Sequence, residues 1–318
     1  MTSARSRFSR SLFLAGTAAT LVPVAARAAD LPVVTVGMIP TDVDAVLAYA
    51  QDLDYYRAAG LDVRITTLTS GPIVANAVVG GSLDIGAANV GSIAVARSRG
   101  LPLKLIAAAG IADETATSDL IAVRKDAPIQ SGADLNGKTI GIVALKTMQH
   151  AAILLWVDKH GGDSKTVKFI EIPFPDMAAA LEAKRVDAVL PNEPFTTMMR
   201  ANVRSLGNQW SSMQTPFPIF GVFSTDAWLA AHGDLAVKFA GAVTRAATWA
   251  NAHRKETAPM LVKLAKVDPQ LAGTMGRSSY GTRLEPAMLQ PIVENLVRYG
   301  MMDKPIDAND LVWRGPGK

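Results

Sequence analysis

The chain has 318 residues, 49% of them hydrophobic, with 32 Lys and Arg against 28 Asp and Glu and no cysteine. Four of the bases (Arg5, Arg7, Arg10, Arg27) lie in the first 29 residues, which hold no acid, so the remainder balances 28 bases against 28 acids and lacks the positive excess of a nucleic-acid binder. The absence of cysteine excludes disulfides, a thiol nucleophile, cysteine-held metal, and a lipid attached at a cleavage-site cysteine.

Residues 1–28 have the layout of a secretory signal peptide. Three arginines precede an apolar, small-residue run from Leu12 to Ala26, which ends on the A-x-A pattern Ala26-Arg27-Ala28. The run is shorter than a bilayer span and Pro23 interrupts it, and no later apolar stretch reaches roughly 18 residues, so export to the periplasm without a membrane anchor is expected. Arg7 and Arg10 are not adjacent, so the twin-arginine pattern is not met. Residues 29–318 are long enough for two domains.

From Val33 onward, β-branched runs alternate with alanine-rich helical stretches, the pattern of a mostly parallel α/β sheet. Strands are expected at Val33 to Met38, Val63 to Leu68, Asp84 to Ala88 and Leu103 to Ala108, with helices over Val43 to Ala58, Ile73 to Val79 and Gly91 to Ser98. A second series follows, with strands at Leu120 to Arg124, Thr139 to Val143, Val167 to Ile172 and Asp187 to Leu190. Its helices cover Met148 to His160, Asp176 to Ala183 and Glu193 to Asn202. Gly81-Ser82-Leu83-Asp84-Ile85-Gly86 and Lys184-Arg185-Val186-Asp187-Ala188-Val189 each turn out of a helix and open a strand on Asp, implying two similar lobes. After a further β-type run, Pro216 to Ser224, the chain is mainly helical (Asp234 to Lys255, Ala258 to Lys266, Pro286 to Tyr299). The expected division is lobe I from 29–119 plus 221–318 and lobe II from 120–220. The chain would cross near Ser118 to Leu120 and again near Phe217 to Gly221, two crossings that make a hinge beside a cleft.

Gly132-Ala133-Asp134-Leu135-Asn136-Gly137-Lys138-Thr139 matches the phosphate-loop pattern G-x-x-x-x-G-K-T letter for letter. A phosphate loop must open a helix, however, and Thr139 to Val143 reads as a strand, so a turn before a strand is expected. The histidines at 150, 160, 232 and 253 show no metal-ligand spacing, there is no G-x-S-x-G elbow, and no catalytic residue, metal or cofactor is assigned. The informative positions are the strand-to-helix junctions, because open α/β sheets bind ligands beyond the carboxyl ends of their strands. Thr41, Asp42, Ser70, Gly71, Asn89, Gly91 and Ser92 mark those of the first series, and Lys146, Thr147, Met148, Gln149, Asn192 and Glu193 those of the second. Helix starts converging on one cavity favour an anionic or hydrogen-bond-accepting ligand. Lys146 is the single cation among them, which argues against a multiply charged one. Met148, Phe174, Phe195 and Phe217 can pack on an apolar or aromatic part of the ligand, but a core or hinge role is the expected one, since such residues are usually buried for packing.

Several stretches resemble the nitrate/sulfonate/taurine-type substrate-binding proteins of ABC transporters, a group that includes thiamine-pyrimidine-precursor binders. They are Thr69-Ser70-Gly71-Pro72, Gly81 to Gly86 leading to Asn89-Val90-Gly91, Val123-Arg124-Lys125-Asp126, Asp134 to Gly141, Pro173 to Leu181, and Val186 to Val189 with Glu193-Pro194-Phe195. The resemblance implies a type II periplasmic-binding-protein fold, a small ligand held between the lobes, and delivery to an inner-membrane permease with its ATPase; a monomer is expected. A pyrimidine-precursor synthase of the same fold is the alternative, but it uses a cysteine-rich segment that this chain lacks. After the Thr139 strand the family often reads Gly-Ser/Thr-small-x-His, whereas this chain reads Leu145-Lys146-Thr147-Met148-Gln149-His150.

Overall fold

The structure is a computed structural model that describes Met1 and residues 31–112, 120–213 and 215–317; the expected signal peptide, and most of the crossing near Ser118 to Leu120, lie outside the described residues. Two five-stranded sheets organise the chain. The first has the spatial order Asp62–Thr67, Val33–Met38, Ile85–Asn89, Phe220–Thr225, Leu103–Ala108. The second has the order Val203–Gly207, Ile121–Arg124, Ala188–Val189, Thr139–Ile142, Lys168–Glu171. In each, four strands run one way and one runs against its neighbours: Phe220–Thr225 in the first and Ile121–Arg124 in the second. Both reversed strands are those on which the chain enters a sheet after leaving the other. The architecture is the two-sheet, mostly parallel α/β fold expected from the sequence.

The strands are apolar on both faces because helices cover both: every residue of Ile85–Asn89 is buried, and Val34, Val36 and Met38 are fully so. The two Asp-bearing turns do the same job in both sheets. The carboxylate of Asp84 accepts from Thr35 N at 2.8 Å, and that of Asp187 accepts from Thr139 N at 2.9 Å, each pinning the first residues of a central strand. The phosphate-loop-like stretch is a short turn, Ala133–Leu135, followed by Gly137 at φ 71° and the strand Thr139–Ile142, so no helix amides face a phosphate there. The C-terminal helices pack on the first sheet's side, with Tyr56 stacked on Phe239 at 4.9 Å and Arg245 over the Tyr55 ring at 4.1 Å. No helix among the described residues is long and apolar enough to cross a membrane.

Several expectations need correction. The single helix placed over Val43 to Ala58 is a 3-10 turn, Asp42–Asp44, then Val46–Asp52 and Tyr55–Ala58, broken where Asp54 takes a left-handed conformation at φ 57°. The helix placed over Glu193 to Asn202 shrinks to Phe195–Met199, with Pro194 as the residue before its first turn. Val203–Gly207 is an edge strand that the sequence did not mark, its polar Arg204 and Ser205 diluting the apolar pattern. A third sheet, Phe217–Pro218, Gly110–Ala112 and Ser279–Tyr280, is antiparallel throughout, and its strands are too short to signal themselves. A third passage of the chain, Ser279–Tyr280, therefore joins the two expected crossing regions.

Candidate ligand cleft

The carboxyl ends of the central strands of both sheets meet at a small, nearly closed cavity of about 20 Å³. From the first sheet's side it is lined by Ile39, Gly71, Pro72, Asn89, Ser92 and Phe220; from the second's by Val143, Ala144, Thr147, Gln149, Phe174, Asn192 and Trp210. A larger hollow beside Leu284, Gln290, Trp313 and Arg314 is an open surface groove. The side-chain polar atoms left without partners in the smaller cavity make it the better site, because a desolvated donor or acceptor costs about 1–3 kcal/mol unless something satisfies it.

Four such atoms belong to lining residues: Ser92 Oγ, Gln149 Oε1, Asn192 Oδ1 and Trp210 Nε1. Gln149 Nε2 donates to Leu190 O at 3.2 Å, which fixes its amide. Thr147 caps the helix Met148–Lys159 by accepting from His150 N at 3.2 Å, and Asn89 caps Val90–Ser98 by accepting from Gly91 N at 3.0 Å. Asn89 Oδ1 also accepts from Met148 N at 3.1 Å, tying the start of a second-series helix to the first series. The helix Gly71–Val79 has no side-chain cap at Ser70, and its first residue, Gly71, lies on the cavity wall.

Of the junction residues read from the sequence, Gly71, Asn89, Ser92, Thr147, Gln149 and Asn192 come together at this cavity. The others do different work. Lys146 is exposed at φ 56°, and no ionised side chain lines the cavity. Ser70 is half-buried and off the wall. Met148 is fully buried and meets Gly91, where an added Cβ would stand 2.7 Å from Met148 N. Thr41 is fully buried beside Asp42, whose carboxylate is held by the Arg277 guanidinium at 2.9 Å and by Ser278 N. Glu193 turns its carboxylate to Thr197 N at 3.0 Å and Gly276 N at 3.1 Å, while its carbonyl accepts from Asp42 N at 2.9 Å. Asp42 and Glu193 therefore brace the two series against each other and do not face the cavity.

Burial pushes the Glu193 carboxyl up to about 7 against the pull of its Thr197 and Gly276 donors. Asp44, fully buried with a single backbone donor at Ile39 N, is pushed up to about 8 by the same cause. His150, half-buried against Phe169 at 4.2 Å, is lowered to about 4 by desolvation of its charged form. Phe174 lies on the wall, whereas Phe217 is packed against Trp210 and Phe195 against Phe174. Trp210, Phe220 and Ile39 were not singled out as site residues. Trp210 follows the unrecognised strand Val203–Gly207, and recognition of that strand would have marked Asn208 to Trp210 as another junction.

The NMT1/THI5-like family model matches residues 43–257, more than half of the chain. A Brachyspira hyodysenteriae protein named as an ABC transporter periplasmic binding protein is 31% identical over 104 residues, which cover 31% of this chain and only 30% of that protein. The alkanesulfonate-binding protein SsuA of Xanthomonas axonopodis pv. citri, solved bound to MOPS, superposes with TM-score 0.75 at 19% identity, covering 90% of this chain and 99% of that one. The periplasmic nitrate-binding protein NrtA of Synechocystis superposes with TM-score 0.74 at 15% identity, covering 90% and 86%. These superpositions establish a periplasmic-binding-protein fold, and with the family match they lead to one conclusion: the chain belongs to the NMT1/THI5-like family.

Proposed function

We propose that the chain is the exported, periplasmic solute-binding component of an ABC import system. It takes one small organic anion, sulfonate-like or carboxylate-like, into the cavity between its lobes and presents it to a permease and its ATPase. The lobes are 29–119 with 221–318, and 120–220. The observation that carries this reading is the meeting of unpartnered, buried polar side chains from both sheets at one small cavity among helix starts. A helix start bears roughly half a positive charge, so helix starts can offset a single negative charge, while a wall with no Lys or Arg disfavours more than one. The family match and the sulfonate and nitrate ligands of similarly folded proteins point the same way. A second reading, a neutral pyrimidine-type ligand, is favoured by one feature: the wall combines Phe174, Phe220 and Trp210 with two amide side chains. No reaction is assigned to the chain.

A thermal-shift screen against sulfonates, carboxylates, nitrate and pyrimidines separates these readings, since a ligand at 100 times its Kd adds about 2.7 kcal/mol of stability. The proposal predicts that a monoanion raises Tm. Stabilisation by neutral pyrimidines alone would favour the second reading, and a broad panel with no stabiliser would contradict both.

A further inference from the structure

We propose that the cavity selects a ligand carrying a hydrogen-bond donor in addition to its acceptor group, the donor read by Gln149 and the acceptor by Trp210. The inference rests on the solute-binding reading above and narrows its ligand class. Gln149 is the second residue of the helix Met148–Lys159 and is 4% exposed. Its Nε2 donates to Leu190 O at 3.2 Å. Turning the amide over would set Oε1 against that carbonyl, acceptor against acceptor, so the atom left for the cavity is Oε1, which has no partner. A carbonyl oxygen can only accept, and the ligand must place an N–H or O–H there.

Trp210 supplies the complement. Its ring is 3% exposed, and its Nε1, which can only donate, has no partner. The turn that carries it, Gln209–Ser212, is fixed to the same helix by Lys159 Nζ, which donates to Ser212 O at 2.8 Å. The ligand must therefore offer an acceptor to Trp210. Ser92 can rotate its hydroxyl and serve either role, so it does not discriminate. A ligand without the donor leaves Gln149 Oε1 desolvated, which weakens binding by about tenfold or more.

The test is calorimetric titration of the purified exported protein with matched pairs differing in one donor group: 2-hydroxyethanesulfonate against ethanesulfonate, lactate against propionate, and 4-aminopyrimidine against pyrimidine. The donor-bearing member of any binding pair is expected to bind about tenfold more tightly or better. Gln149→Met should erase that preference by weakening the donor-bearing member, and Trp210→Phe should weaken both members alike, with melting curves confirming that each variant is folded. Equal affinities within a binding pair, or a preference that survives in Gln149→Met, would overturn the inference and leave the solute-binding reading standing. Failure of every pair to bind would overturn both.

Discussion

Asp44 and Glu193 show how individual buried acids tune this chain. Neither faces a cation directly: Asp44 has the amide of Ile39, and Glu193 has the amides of Thr197 and Gly276 with the Thr197 hydroxyl. Burial raises both carboxyls, to about 8 and about 7, so each holds its proton more tightly in the folded chain than in the unfolded one. Stability from these two groups is complete below about pH 4 and is lost as pH rises through 7 and 8. His150 has the opposite sign, its contribution present above pH 6.5 and lost on acidification toward 4, so the acids are best read above pH 6.5. Between pH 6.5 and 8.5 the unfolding free energy should fall by about 2 kcal/mol, measured by urea denaturation at each pH. Asp44→Asn should flatten most of that slope; an unchanged slope would show that Asp44 does not titrate in this range. The site itself was partly legible at this scale. Asn89, Thr147 and Asn192 are polar residues at strand-to-helix junctions, which sequence can flag, but that rule also flagged Asp42 and Glu193. Their carboxylates are consumed by Arg277 and Gly276, more than 80 residues away along the chain, and only the folded chain shows it.

At the scale of elements, the contact between the helices Val90–Ser98 and Met148–Lys159 is the point where the two series meet beside the cavity. Asn89 serves both helices, capping the first and accepting from the first amide of the second. Gly91 lets them approach, since a Cβ there would stand 2.7 Å from both Met148 N and Met148 Cβ. Gly91 has ordinary backbone angles, so a larger residue costs little in the first series itself and acts by holding the two helices apart. Gly91→Val should therefore weaken ligand binding at least about tenfold in a calorimetric titration, while shifting the Tm of the ligand-free protein by no more than about 3 °C. Wild-type affinity in this variant would mean that the contact is not part of the bound state. The elements were largely legible. Strands such as Val33–Met38 and Leu103–Ala108 fall where apolar β-branched runs put them, because both faces of a covered sheet must be apolar. What escaped were pieces whose pairing is remote and short: the edge strand Val203–Gly207 and the three-stranded ribbon joining residues 110–112, 217–218 and 279–280.

At the scale of the whole molecule, the two sheets share one plan. Each has four strands in one direction and one against, and an Asp-bearing turn pins a central strand in each. The ligand is proposed to contact both halves together, so that its differential affinity for the closed arrangement signals loading. The measurement that tests this most directly is hydrogen exchange, read peptide by peptide by mass spectrometry, with and without a compound that raises Tm in the screen. Slowed exchange is expected in peptides from both halves, around residues 71–74, 89–92, 147–150 and 208–212. Slowing confined to one half, or centred on the groove beside Trp313, would contradict it.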